Sequence, residues 1–409
     1  MLSLESEIHY QTQVVDGKKL FGQFDSMVAR ETSTVEHPLN PGKPEVTVII
    51  STMEREAKFS ETLSRLIDAT KKLGLLTRIV VMDNSLKPLG ENLIPRVIPL
   101  NLESIVHHHN ARMIQSTARN FAVLHLSDQS PNLVFSDGDI YCGRETLKNL
   151  HNGLLAHPRI KGVAPVMMGY KGGNVDSVIN QPIDLAKSHM PGVIGEQIWI
   201  REGDIMRATM MRGFFWVMRE MVDSVAKSNF EHTPWLQDFV VWQNVPFSIV
   251  ARELGWDFAY LVNGQAVVAH DDRVDELSIG YKLPYRGPET LKSLVMLMYR
   301  NSVYTPQGRI VNPRFLEFNL SAITRVAQVD TPLAIEIQEL LLHISELINI
   351  STDVDDFKAR HKTMINAIPG NARNILDKTI ECICVGNTFT RIKNNLSLKP
   401  SRMIYSVED

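Results

Sequence analysis

Two aspartates one glycine apart, Asp137-Gly138-Asp139, carry the clearest chemistry in this sequence. Leu133, Val134 and Phe135 just before them are apolar and strand-forming. A strand ending in Asp-Gly-Asp turns at the glycine and leaves both carboxylates at its carboxyl edge. There they can share a hard divalent cation, Mg²⁺ or Mn²⁺, through oxygen ligands. Read alone, the same residues also suit the Asp-Gly turn of a β-hairpin. Two further polar clusters favour the first reading, Ser51-Thr52-Met53-Glu54-Arg55 and Asp83-Asn84-Ser85, because each follows an apolar run of its own.

The runs that must position these clusters have a common form. Val46 to Ile50 is a short β-branched stretch typical of a strand buried on both faces. Phe59, Leu63, Leu66 and Ile67 then repeat at helical spacing until Gly74, and Arg78 to Met82 reads as a second buried strand. Strand, helix, strand predicts a right-handed crossover and a parallel pair. In open α/β sheets ligands collect beyond the carboxyl ends of such strands, so the three clusters line one edge. The triple histidine His107-His108-His109 reads as a solvated loop, since adjacent residues do not converge on one point in a strand or helix. Helices are predicted over 118–126 and 145–155, and strands over 163–168 and 258–262. Residues 211–220 pass from strand to helix. The irregular stretch 174–207 has the length of a lid or acceptor wall. Beyond about residue 288 the pattern turns helical, with one stripe through Leu291, Leu294, Val295, Met298 and Tyr299 and another through Ile337, Leu340, Leu341, Ile344, Leu347 and Ile348. The second stripe suits packing onto the catalytic body, or a seam with a second copy of the chain.

These limits give three parts: a polar N-terminal segment and linker over 1–44, a catalytic domain over 45–288, and a helical extension over 289–409. The 409 residues hold 44% hydrophobic and 22% charged side chains, the balance of a folded globular chain. A net charge of −3 offers no basic field for nucleic acid. The three cysteines, Cys142, Cys382 and Cys384, are too few for a disulfide framework and fit a reducing compartment. No apolar run reaches the roughly 18 residues of a membrane span, and the acidic start lacks a signal core. A cytoplasmic location is expected.

Taken in order, the motifs resemble family 2 glycosyltransferases. Ile49 to Arg55 is similar to that family's opening strand and loop, Val81 to Ser85 to its second strand, and Ala118-Arg119-Asn120 to its Ala-Arg-Asn signature. Asp137-Gly138-Asp139 looks like its Asp-x-Asp motif, and Gly213 to Arg219 like the strand of its acceptor floor. Gln237-Asp238, Gly255-Trp256 and His270 resemble its late Glu-Asp, Gly-Tyr/Trp and His sequence. The resemblance covers roughly residues 45 to 275. It implies the GT-A fold, a mixed and mainly parallel sheet flanked by helices. It also implies a metal-dependent transfer of a sugar, hexosyl or N-acetylhexosaminyl, from a nucleotide diphosphate to an acceptor hydroxyl.

The roles that follow are those the resemblance implies. Asp139 is the first ligand of Mn²⁺ or Mg²⁺. Asp137 touches the ribose or the metal's water shell, and His270 completes the coordination or holds a phosphate. Ser51, Thr52, Glu54, Arg55 and Gly138 border the donor nucleotide, and Asp83 accepts hydrogen bonds from its base, uracil being favoured. Arg119 contacts a phosphate or orients Asp137. Asp238 is the general base of an inverting transfer, with Gln237 standing where the family has Glu. Gly213, Trp216 and Gln237 face the acceptor. Two rival functions share this architecture, a sugar-nucleotide nucleotidyltransferase and a non-catalytic nucleotide-sugar-binding module. The first wants a glycine-rich basic loop after the first strand, which Ser51 to Glu56 does not provide.

Overall fold

The computed structural model describes residues 32–53, 55–85, 87–89, 99–111, 113, 115–183, 200–208, 211–228, 233–235, 243–264, 266–271, 302–305, 308–311, 344, 346–365, 370–384, 389–390 and 393. The chain opens with β1 (Thr32–Pro38), β2 (Val46–Thr52), α1 (Glu56–Leu73), β3 (Thr77–Asp83) and β4 (Leu102–Asn110). Next come α2 (Gln115–Phe121), which runs on as a π turn (Ala122–Leu126), then β5 (Asn132–Asp137), β6 (Ile140–Cys142) and α3 (Thr146–Ala156). β7 (Ile160–Tyr170), α4 (Val175–Ile179), β8 (Ile200–Glu202), β9 (Ile205–Ala208), β10 (Phe214–Met218) and α5 (Arg219–Ser228) follow. α6 (Asn244–Glu253), β11 (Asp257–Leu261) and β12 (Val267–Asp271) complete the main body.

One twelve-stranded mixed sheet runs in the order β1-β4-β3-β2-β5-β10-β7-β11-β9-β8, with β12 bridging β7 and β6. β2, β3, β4 and β5 form its parallel centre, and β7, β11 and β12 run the same way, while β1, β6, β9 and β10 oppose them. Helices cover both faces. α1 and α3 close one core with Phe59, Leu63, Leu66, Leu147 and Leu150, and α2, α5 and α6 close the other with Phe121, Met221, Val225 and Phe247. Because the sheet is covered on both sides, every residue of β2 is buried, the reason its sequence is a continuous apolar run and not an alternation. α1 ends where Gly74 takes a left-handed φ of 79° and returns its N–H to Thr70.

The structure departs from the sequence reading in several places. The three histidines lie in β4, not in a solvated loop, and alternate sides there. β4 is paired with β3 on one flank and with β1 on the other. β1 itself comes from the stretch read as linker. The helix expected from Ala118 begins at Gln115, and the expected irregular stretch contributes α4, β8 and β9, while 184–199 lie outside the described residues. In the region read as helical, β13 (Ser302–Thr305) and β14 (Gly308–Val311) form a hairpin. α7 (Val354–Met364) and α8 (Gly370–Ile383) follow it, α7 capped by Asp353. Ile344, Leu347 and Ile348 of the second apolar stripe are buried, and the rest of both stripes falls outside the described residues. Among the described residues no helix is long and apolar enough to cross a membrane.

Candidate functional site

The acidic turn is pinned from three sides. Gly138 N donates to Ser51 O of β2 at 2.8 Å, Thr62 Oγ1 of α1 donates to Gly138 O at 3.0 Å, and Asp271 N of β12 donates to Asp139 O at 2.9 Å. A Cβ on Gly138 would lie 2.8 Å from Thr52 Cβ and Oγ1, so close approach to β2 is what requires glycine there. Gly213 also lies close to the turn, though against side-chain ends. Its carbonyl accepts from Asp137 N at 3.0 Å, and a Cβ would come within 2.8 Å of Asp137 Oδ2.

Charge gathers on this turn. Arg55 Nη1 holds Asp139 Oδ2, and His270 Nε2 lies 3.8 Å from Asp139 Oδ1. Asp137 Oδ1 accepts from Arg119 Nη2 at 2.9 Å and from Gln115 Nε2. Desolvation pushes the Asp137 carboxyl above its ordinary value, although 32% of the side chain remains exposed; the Arg119 charge pulls it back and Asp139 adds to the rise. Arg119 is 1% exposed, with its guanidinium 5.8 Å from the ring centres of both Phe135 and Phe215. It is a buried group that orients Asp137, not a surface charge.

The neighbouring strand ends are also polar and tightly packed. Asp83 is wholly buried. Its Oδ1 accepts from Ser85 N at 3.0 Å, and its Oδ2 from Leu89 N at 2.7 Å and His107 Nε2 at 3.1 Å. Desolvation would raise this carboxyl, but the bonds from His107, Leu89 and Ser85 outweigh it and hold it below its ordinary value. Both oxygens thus already accept bonds within the protein. The exposed member of the pair is His107, with 20% of its side chain open. Ser51 Oγ, Thr52 Oγ1 and Asn84 Oδ1 are buried with no hydrogen-bond partner. Buried polar atoms are nearly always paired, with protein or with water, and these three have no partner within the protein.

The structure brings Ser51, Thr52, Asp83, Arg119, Gly138 and Gly213 to the sheet edge that carries Asp137, and draws Arg55 and His270 onto Asp139. Glu54, Gln237 and Asp238 lie outside the described residues. Trp216 needs correction as an acceptor residue. It is fully buried, stacked on His151 at 5.4 Å with its Nε1 bonded to Asn132, because both faces of β10 are covered by helices. Sequence reasoning missed Gln115, whose signal was its i,i+4 spacing from Arg119 on one helix face. It also missed Asp271, which is buried and held by Tyr141 Oη at 2.6 Å and Lys58 Nζ at 3.7 Å.

Among the described residues no three His, Cys, Asp or Glu side chains converge as a metal-binding group. Arg119 and Gln115 hold Asp137, and Arg55 holds Asp139. The donor chemistry still fits a cation that arrives with its own oxygens. Mg²⁺ commonly takes one or two carboxylates and fills its shell with substrate phosphates and water. Asp139 with His270, and Asp137 beside them, meet that lesser demand.

No family model matches the chain, and no curated protein matches it. Several solved structures are similar in arrangement. GalNAc-T7 with UDP, GalNAc and Mn²⁺ is 16% identical over 57% of this chain and 44% of that one, with a TM-score of 0.40. The chain therefore spans less than half of that protein's length. The mannosyltransferase PcManGT from Pyrobaculum calidifontis, in complex with GDP-Man and Mn²⁺, is 13% identical over 88% and 89% of the two chains, with a TM-score of 0.42. S. aureus TarS 1-349 with UDP-GlcNAc is 14% identical over 87% and 92%, also at 0.42. Likeness at this level says nothing about substrate, and the chemistry rests on the chain's own geometry.

Proposed function

We propose that the chain is a metal-dependent glycosyltransferase that moves a hexosyl or N-acetylhexosaminyl group from a nucleotide-diphosphate sugar to an acceptor hydroxyl. The observation that carries this reading is the acidic turn at the carboxyl end of β5, pinned by β2, α1 and β12, with two arginines and a histidine on its carboxylates. The resemblance in its motifs favours a UDP-sugar and inversion.

A departing nucleoside diphosphate gains negative charge at its bridging oxygen as the glycosidic bond breaks. A bound Mn²⁺ or Mg²⁺ would supply Lewis-acid stabilisation to that oxygen. Asp139 and His270 are the residues to hold it, with Asp137 reaching it through water or contacting the ribose. Arg55 and His270 each keep 33% of their side chains exposed, enough to meet a phosphate. Arg119 is too deep to touch one and instead fixes Asp137. Ser51 and Thr52 close the strand end that borders the nucleotide, with their hydroxyl oxygens buried. By resemblance Asp238 takes the acceptor proton, with Gln237 and Gly213 on the acceptor side.

A donor-hydrolysis screen tests this. UDP-, GDP- and CMP-sugars are incubated with Mn²⁺ or Mg²⁺ and released nucleotide is measured. Metal-dependent release, fastest with a UDP-sugar, is the expected result. No release from any donor, together with no rise in melting temperature from any nucleoside diphosphate with metal, overturns the reading.

A further inference from the structure

Two side-chain rails leave the Asp137 carboxylate and run in the same direction. In the first, Arg119 Nη2 donates to Asp137 Oδ1 at 2.9 Å while Arg119 Nη1 donates to Asn244 Oδ1 at 2.6 Å, and Asn244 Oδ1 accepts a second bond from Trp235 Nε1 at 3.1 Å. In the second, Gln115 Nε2 donates to Asp137 Oδ1 and Gln243 Nε2 donates to Gln115 Oε1 at 2.5 Å. Asn120, on the same helix, clamps the backbone of Trp235 twice, donating to its carbonyl at 2.6 Å and accepting from its N–H at 2.9 Å. α2 thus grips the acidic motif on one side and both Trp235 and the Gln243-Asn244 pair on the other.

The polarity of the second rail follows from the Arg119 charge, which favours the ionised form of Asp137. An ionised carboxylate only accepts, so Gln115 must turn its NH₂ to Asp137 and its carbonyl away. That carbonyl can be satisfied only by a donor, so Gln243 must present its own NH₂. Each amide sets the orientation of the next.

We propose that Gln115 and Gln243 are positioning residues for the donor site, a directional amide relay that sets the Asp137 carboxylate for a metal–nucleotide diphosphate. The proposal rests on the donor-binding reading above and adds two residues which that reading does not use. Among the described residues Gln243 makes no hydrogen bond to the acidic turn and acts on it through Gln115.

Gln243→Glu tests the direction of the relay. The new carboxylate accepts from Gln115 Nε2 and leaves Gln115 Oε1 against Asp137. Calorimetric titration of Mn²⁺ with UDP into the full chain is expected to show about ten-fold weaker binding, the worth of one bond to a charged group. Gln243→Met, which deletes the link without reversing it, is expected to cost clearly less. Equal losses in the two variants, or a loss in neither, overturn the proposal.

A second measurement needs no ligand. In urea unfolding, Gln115→Met and Gln243→Met are compared with the double variant. The relay predicts that their effects on the unfolding equilibrium fail to multiply by at least about two-fold; independence overturns it. If the wild-type chain binds no Mn²⁺·UDP, the donor reading falls, and the unfolding cycle alone judges the relay.

Discussion

Two buried arginines stand at the two ends of β5, and their surroundings differ. Arg219, at the amino end, sends Nε to Ser130 O at 2.7 Å and Nη2 to Ser127 Oγ, and its backbone N–H to Pro131 O at 2.9 Å. Thr47 joins the same cluster through Ser127 and Ser130. Among the described residues its one carboxylate, Asp223, is at the rim, 3.9 Å away. Arg119, at the carboxyl end, faces a carboxylate that is a third exposed and lies two residues from Asp139, itself paired with Arg55. Burial pulls both guanidiniums below their ordinary values. The neutral oxygens around Arg219 finish its task within the fold. The partners of Arg119 leave charge open to something that arrives. A buried cation is thus architecture or chemistry according to what its partner still faces.

The largest effect should come from the charge itself. Asp139→Asn removes the carboxylate shared by Arg55 and His270, and turnover should fall about 10³-fold, the loss of several kcal/mol of charge stabilisation. Released nucleotide measures it; near-normal turnover would erase the contrast between the two ends of β5. Next come the arginines. Arg119→Ala leaves a carboxylate one-third exposed without its countercharge and should cost about 3 kcal/mol in urea unfolding, the low end for a broken buried pair, whereas Arg219→Ala loses bonds to neutral oxygens and should cost about 1.5–3 kcal/mol. The lysine variants separate their roles. Arg119→Lys keeps the charge but loses the fork and should weaken Mn²⁺·UDP binding about ten-fold, while Arg219→Lys should leave it unchanged. Equal losses would mean that Arg119 is architecture too.

How much of this was readable in the residues follows from where the information lies. Runs 46–50 and 78–82 gave β2 and β3 because a strand covered on both faces needs no partner's sequence to betray it. β4 was not readable, since Val106 to Asn110 becomes a strand only when β1 and β3 flank it, and β1 is drawn from a polar stretch. The acidic turn was legible only in company, since Asp-Gly-Asp alone also suits a hairpin turn and the clusters at 51–55 and 83–85 tipped the reading. Gln115 could have been found from its helical offset to Arg119. Gln243 and Asn244 could not, because their partners lie 128 and 125 residues away in sequence and amides carry no distinguishing pattern. Trp216 misled for the opposite reason: an aromatic beside a motif looks available until both faces of its strand are covered.

A pH series sharpens the contrast from the architectural side. His108 faces away from His107 and His109, stacked on Phe121 at 4.3 Å with Nδ1 bonded to Thr34 Oγ1 at 2.8 Å and Nε2 unpartnered. Burial first, then the charges of His109, His107 and His125, pull its value from 6.5 down to about 4. Between those values the unfolded chain binds a proton that the folded chain refuses. Stability is therefore full above pH 6.5 and is lost as the pH falls towards 4. From pH 7 to pH 5 the loss should be about 2 kcal/mol, and His108→Gln should remove that part of the slope in urea unfolding. An unchanged slope would move the effect to other groups.

Arg55 offers the smallest effect and the finest cut, because it stands between the two cases. Its bond to Asp139 is made by a side chain one-third exposed, so the pair is worth about 1 kcal/mol or less. A cation that takes Asp139 must compete with that guanidinium, so Arg55→Ala should tighten binding of Mn²⁺ alone by up to about five-fold. With UDP present the sign should reverse, since the same guanidinium then loses a phosphate to hold. Opposite signs in the two titrations would make Arg55 a group that changes partners when the donor binds. The same sign in both would place it with Arg219, as a charge whose work ends at the fold.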